Sequence, residues 1–419
     1  MTHSCQSGER ELWHDSTWNA AVNIAAAGLS ACLLMLASHI SGAYWCGVIT
    51  LGLAMSMQLF TLGNFTMGSY QASDVSETRS FSDYVGAKTL SLGVMLLVAV
   101  AWLKLGNFGR DKALAFTALM GYQTSDAFSN VFFARYQQKK RLDLGCKIRL
   151  TKILAFAGTY AAVLFATRNP VLALWAGAGV HAGLFFALDV PRIREFGPLK
   201  WRLPGRASLA ILAACLPLAL NSFLVMYVNN GPRFAVDEEL GEETLAAYGA
   251  LFMVSFAVAM CGDFLMNPQV VRLAEAVRRR DRTSAWKIVR RQTIIIVGLG
   301  AAGLATGAAV GIPILSWLFG LDLKGLRTVL LVLLFGGILL AFYQLGQVVL
   351  IVLRRQAWGV LGMLLAVATI FVFARHAVSR AGLAGAAAVY TCAVALMALC
   401  SSVFAVWFFL MDFRKETLS

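Results

Sequence analysis

The sequence predicts an all-α polytopic membrane protein of about twelve transmembrane helices, arranged as two six-helix bundles around a central cavity. Three observations carry this expectation. The chain of 419 residues is 59% apolar and only 14% charged, against about 25% charged in soluble proteins. With a mean hydropathy of +0.70 it cannot cover itself with polar surface, so a bilayer is its natural solvent. Apolar stretches of spanning length, about 20 residues each, succeed one another through short connections, and basic residues concentrate in alternate connections.

The first stretch, 16–37, comes after a polar N-terminal segment, 1–15, of mixed charge. No short apolar core with a cleavage site is present, so no cleaved signal peptide is expected. This stretch carries Asn19 and Asn23 one helical turn apart, near its inner end. The second, 43–65, carries Gln58, Thr61 and Asn64 at spacing three, and the third, 84–104, places Lys88 close to the inner surface. The fourth, 112–134, brings Gln123, Asp126 and Asn130 onto one helical face, at i, i+3 and i+7. A basic run over 135–152 comes next, read as a loop, and the fifth stretch, 149–167, opens with Arg149 and Lys152. The sixth covers 170–190.

The connector 191–207, with Pro191, Pro198 and Pro204, divides an N-terminal bundle, 16–190, from a C-terminal one, 208–411. The latter comprises 208–229, 244–267, 292–319, 326–353, 357–376 and 382–411, and 412–419 forms a tail. Between its first two stretches lies an acidic segment, 230–243, read as a loop. The second bundle is sparser in polar groups: Asn221 and Ser222, Asp263 and Asn267, and Gln344 and Gln347. A six-plus-six division is what a transporter with two lobes around a midplane site requires.

Orientation is set by Lys and Arg. With the N-terminus inside, 27 of the 36 basic residues fall on the cytoplasmic side and nine outside. Both termini are therefore expected in the cytoplasm. The same asymmetry accounts for the net charge of +14 as positive-inside bias plus attraction to anionic lipid headgroups. Nucleic acid is not an expected partner.

Polar groups inside spanning helices face protein or a wet cavity rather than lipid. A single Asn or Gln is commonly a bond between helices, contributing ~0.6 kcal/mol. Asp126 stands apart, because a carboxylate at that depth costs ~2.5–3.5 kcal/mol on insertion scales. It calls for a cation partner such as Arg149 or Lys152, a proton, or a role in transport. The candidate cavity residues are therefore Asn19, Asn23, Gln58, Lys88, Gln123, Asp126, Asn130, Arg149, Lys152, Asn221 and Gln344. Tyr122, Phe128, Phe132 and Tyr136 offer faces for sugar rings, with helix packing as the plainer reading.

Other patterns point away from catalysis. Gly298, Gly300 and Gly303 fit GxGxxG but lie in an apolar run, where close helix packing explains them. His39, His181 and His376 have no acidic companion at metal-ligand or catalytic spacing, and the eight cysteines are scattered without a CxxC pair. No P-loop is present. The expectation is a non-enzyme without cofactor, driven by a gradient of Na+ or H+, by its substrate, or by a partner.

The end of the second stretch and the adjoining segment, Gly68-Ser-Tyr-Gln-Ala-Ser-Asp74 leading to Phe81-Ser-Asp-Tyr84, resemble the multidrug/oligosaccharidyl-lipid/polysaccharide flippase superfamily. So do Asp126-Ala127 with Gln137-Gln-Lys-Lys-Arg-Leu-Asp143, and Asn221-Ser222 leading to Asn230-Gly-Pro-Arg-Phe-Ala-Val-Asp237. Within that superfamily the chain looks like bacterial lipopolysaccharide or O-antigen flippases. The resemblance implies outward flipping of a polyprenyl-pyrophosphate-linked oligosaccharide across the bacterial inner membrane by alternating access. It further implies assembly partners such as a polysaccharide polymerase, and a pyrophosphate held by cavity cations, for which Lys88, Arg149 and Lys152 are candidates by position. A cation-coupled multidrug exporter of the same fold is the alternative, favoured by Asp126 and opposed by the nearby cations. A membrane-embedded glycosyl- or acyltransferase is a more distant third.

Overall fold

The computed structural model describes residues 2–74, 76–196 and 204–414. Side chains at 2–16, 261–268, 271 and 412–414 lie outside that description, and so do the expectations for Asp263 and Asn267. Among the described residues every regular element is helical. In chain order they are α1 (Thr2–Ser41), α2 (Ala43–Asn64), α3 (Met67–Ser73), α4 (Phe81–Leu105), α5 (Arg110–Gln138), α6 (Leu142–Thr167) and α7 (Pro170–Leu184). A π-helical turn, Phe185–Asp189, joins α7 to the short α8 (Val190–Ile193). After the connector come α9 (Arg206–Leu240), α10 (Glu242–Arg278), α11 (Arg282–Thr306), α12 (Ile312–Phe319), α13 (Arg327–Val352) and α14 (Gly359–Arg414).

Ten helical stretches among the described residues are long and apolar enough to cross a bilayer. The expected count of twelve is recovered for physical reasons. Helix α5 spans 29 residues but carries too many polar side chains to qualify on composition. The 56-residue α14 is broken at Gly382, with φ 57° and ψ −137°, a backbone conformation open to glycine alone. The chain is thus an all-helical, multi-pass membrane protein. Its outer surface fits that solvent: Leu97, Trp317 and Phe371 are 73%, 79% and 77% exposed, an arrangement costly in water and favourable in lipid.

Two compact units form, Met1–Met226 and Tyr227–Ser419. The boundary lies inside α9 rather than at the connector, because the first turns of α9 pack into the first unit. Ile211 and Cys215 join a buried core with Tyr84, Phe132, Tyr136 and Phe185. The Ser208 hydroxyl donates to the Asp83 carbonyl at 3.0 Å, and Gln58 Nε2 donates to the Phe223 carbonyl at 3.0 Å. In the second unit, Gly300 faces the side chain of Ile338, which a Cβ there would approach to 2.8 Å. Close helix packing thus accounts for this part of the glycine motif.

Two expected loops are helical instead. The basic run 135–152 is the end of α5 and the start of α6, separated by a tight corner with Lys140 at φ 57°. Its charges are partly internal: Arg135 is buried and bridges Glu77 at 3.1 Å, and Lys139 pairs with the same carboxylate. Likewise the acidic segment 230–243 continues α9 to Leu240. There Glu238 and Glu239 share Arg375, at 3.2 and 2.9 Å, a partner far away in sequence.

Candidate functional site

The site grows from a break in a helix. Helix α2 stops at Asn64, and Phe65 and Thr66 both adopt left-handed backbone angles, φ 52° and 51°, before α3 begins. Backbone carbonyls freed inside a membrane protein need donors. Lys88 supplies them: its ammonium, fully buried, donates to the Gly63 carbonyl at 3.1 Å and the Asn64 carbonyl at 2.9 Å. Ser91 adds a bond to Gly63 O at 2.9 Å. Lys88 thus holds the broken end of α2 and is committed there.

The break opens a cavity of about 200 Å³, lined by Asn64, Thr66, Gly68 and Ser69 from the α2–α3 region, Asn130, Phe133, Ala134 and Gln137 from α5, and Arg149 from α6. Gly68 leaves room for the Asn130 amide, since a Cβ there would lie 2.5 Å from Asn130 Oδ1. Beside this cavity lies a second one of about 10 Å³, room for a single water. Asp126, Ser129, Asn130, Arg149, Lys152 and Asp189 contribute to its wall. Asn130, Phe133 and Arg149 border both spaces.

Two ion pairs of different character meet at the small cavity. Lys152 and Asp189 lie 2.6 Å apart with side chains 1% and 3% exposed, and the Lys152 ammonium also donates to Ser129 Oγ at 2.7 Å. This is a closed, charge-assisted arrangement. Arg149 reaches Asp126 through a single contact, Nη2 to Oδ2 at 3.3 Å. That is longer than the ~2.7–2.9 Å of a strong charged hydrogen bond. Its guanidinium also lies over the Phe133 ring, 5.7 Å from the centroid, and its Nε is buried without a hydrogen-bond partner. Asp126 is buried while a quarter of the Arg149 side chain stays exposed.

The remaining expectations divide. Asp126, Asn130, Arg149 and Lys152 do come together, and Asn64 joins them. Gln123 and Gln58 are buried, the latter tied to the Phe223 carbonyl of α9. Asn19, Asn23 and Asn221 are exposed, and Gln344 in the second unit is half-buried, so none of the four lines either cavity. The aromatic faces are spent on packing: Phe132 and Tyr136 are buried, Phe128 meets Phe185 edge-on at 5.4 Å, and Tyr122 packs on Phe156 at 4.6 Å.

Asp189 and the hydroxyls of Thr66, Ser69 and Ser129 are the functional groups that sequence reasoning passed over. Asp189 ends a predicted span and looks interfacial, yet the π-helical turn rotates it inward against Lys152. A carboxylate at the end of an apolar stretch that also holds a Lys one helix away was the available signal.

The class defined by these features is a multi-pass helical membrane protein with a polar, cation-bearing cavity in its first unit. The sequence matches no family model and no curated protein. The fold is nevertheless shared with solved structures. The lipid II flippase MurJ in an inward closed conformation matches with a TM-score of 0.66 at 13% identity, covering 96% of this chain and 90% of that one. An inward-facing multidrug resistance MATE family transporter of the MOP superfamily gives 0.65 at 12% identity, covering 94% and 95%. The MATE transporter VcmN of Vibrio cholerae gives 0.59 at 12% identity, covering 99% of both chains. At such identities the likeness establishes the fold alone, which agrees with the expectation of an all-helical, multi-pass membrane protein.

Proposed function

We propose that this chain is a membrane transporter that flips a polyprenyl-pyrophosphate-linked oligosaccharide from the cytoplasmic to the outer leaflet of the bacterial inner membrane by alternating access. The observation that carries this reading is the 200 Å³ cavity, in which amides and hydroxyls from Asn64, Thr66, Ser69, Asn130 and Gln137 surround the guanidinium of Arg149. Amides and hydroxyls suit a sugar, and a guanidinium suits a phosphate, which it binds through paired donors. A lipid tail stays in the bilayer and needs no pocket. The fold is common to a lipid II flippase and to multidrug transporters, so it does not choose between them; the Arg149 guanidinium in the cavity wall supports the flippase reading. The basic asymmetry supports both termini in the cytoplasm, and a polysaccharide polymerase is the kind of partner such a substrate implies.

A cation-coupled multidrug exporter is the second reading, supported by the buried carboxylate of Asp126. It is weakened by Arg149, which pairs with that carboxylate, lines the larger cavity and would repel a cationic drug. The test is complementation: bacteria lacking their own lipid-linked oligosaccharide flippase are supplied with this gene, and surface glycan is measured by blotting. Restored glycan, reduced at least tenfold by Arg149→Gln with normal membrane insertion, is the expected result. Drug efflux without any glycan restoration would overturn it.

A further inference from the structure

Four charges border the small cavity, and they are not equivalent. Lys152 has a carboxylate and a hydroxyl within 2.7 Å, is buried, and does not border the 200 Å³ cavity. Arg149 has one long contact to Asp126 at 3.3 Å, an unpartnered buried Nε, and a place in the wall of the 200 Å³ cavity. Most of its five N–H donors are unused. Asp126 is held by that single contact and borders the water-sized cavity, where Ser129 and Asn130 stand beside it.

We infer that Asp126 is a built-in competitor for Arg149: it occupies the guanidinium while the cavity is empty and gives it up to the diphosphate of an entering ligand. This rests on the reading of the cavity as a headgroup site and adds the residue that sets its affinity. A diphosphate presents paired oxygens to the guanidinium, whereas Asp126 offers one oxygen at a long distance. The exchange therefore replaces a weak contact with a stronger one. The freed carboxylate turns toward the water-sized cavity, where Ser129 and Asn130 carry donors. A ligand must outbid Asp126 to enter, and the carboxylate can retake Arg149 when the ligand leaves. Binding is thereby kept weak enough for release, as a transporter requires.

The consequence is that removing the charge of Asp126 should tighten anion binding. Purified full-length protein in detergent micelles is titrated calorimetrically with inorganic pyrophosphate and, separately, with a short-chain polyprenyl diphosphate. Asp126→Asn is expected to lower Kd at least tenfold, Asp126→Glu to stay near the wild-type value, and Arg149→Gln to abolish saturable binding. An Asp126→Asn protein that is monodisperse and binds no more tightly than wild type overturns the inference. Equal affinities for Asp126→Asn and Asp126→Glu overturn it as well. Saturation by inorganic pyrophosphate as tight as by the polyprenyl compound, with the expected order of variants, supports the inference for any diphosphate. The same result without surface glycan in the complementation assay removes the proposed substrate and leaves the competition intact; restored glycan with unchanged Asp126→Asn affinity removes the competition alone.

Discussion

The Lys152–Asp189 pair permits a quantitative test of which charges hold the first unit together. Both side chains are almost wholly buried, and their contact is 2.6 Å. Removing one partner leaves an uncompensated charge in a low-dielectric interior, a cost of about 3–5 kcal/mol. Lys152→Met strands Asp189, and Asp189→Leu strands Lys152. The unit spans Met1–Met226, a size at which 1 kcal/mol moves Tm by about 2–4 °C, so each single variant should melt roughly 6–20 °C lower. The double variant removes both charges and leaves apolar groups of similar bulk. It should lie within about 2 kcal/mol of wild type, the residue of the cost being the lost bond to Ser129. Thermal unfolding in micelles, followed by tryptophan fluorescence across the four-variant cycle, measures the coupling, expected at about 4 kcal/mol or more. Single variants costing below about 1 kcal/mol each, or a double variant as unstable as the sum of the singles, would refute the assignment of this pair as a structural pin.

Two further outcomes rest on local geometry. Gly68→Ala places a Cβ 2.5 Å from Asn130 Oδ1; the amide swings aside, so anion affinity should drop severalfold in titration while Tm moves little, and an unchanged affinity would remove Asn130 from the cavity's function. Burial opposes the Asp74 charge, but bonds from the Thr78 N–H and hydroxyl, the Arg79 N–H and the Tyr84 hydroxyl together outweigh it and hold the carboxyl below its ordinary value. A lowered folded-state pKa means stabilisation that is present above the unfolded value of about 3.9 and lost as pH falls through the folded value. The Tm gap between wild type and Asp74→Asn should therefore be open at pH 7 and close toward pH 3, and a gap independent of pH would contradict this.

Much of the first unit could be read from helical spacing. Gln123, Asp126 and Asn130 share a face, and Arg149 and Lys152, three residues apart, share another. The depth of Asp126 called for a cation, and Arg149 provides it. The pairing of Lys152 was hidden because its partner, Asp189, reaches inward only through a π-helical turn, which shifts the side-chain period away from 3.6. The break after Asn64 was hidden for a related reason. Its left-handed residues are Phe65 and Thr66, neither of which signals such a conformation; Lys88 stabilises it from another helix. Lys88 consequently looked like a ligand group by position and proved to be a donor to backbone. Composition also misled at 230–243, where five carboxylates suggest a loop although Arg375, remote in sequence, lies against two of them.

The contrast between Arg149 and Lys152 has a simple origin in depth. Helix α6 starts at Leu142, so at 1.5 Å per residue Arg149 lies ~10 Å along it and Lys152 ~15 Å. A cation further into the membrane costs more to leave solvated only by protein, and the deeper one has acquired two close partners, Asp189 and Ser129. The shallower one tolerates a single loose carboxylate because part of its side chain still meets the larger cavity. A site that must bind and release an anion cannot use the first kind of cation, whose partners already satisfy it, and needs the second. On this argument a guanidinium at position 152, paired with Asp189, should strengthen the pin and leave anion binding centred on Arg149. Calorimetric titration of Lys152→Arg with pyrophosphate checks this: affinity close to wild type is expected, and a gain of tenfold or more would show that depth does not separate the two roles.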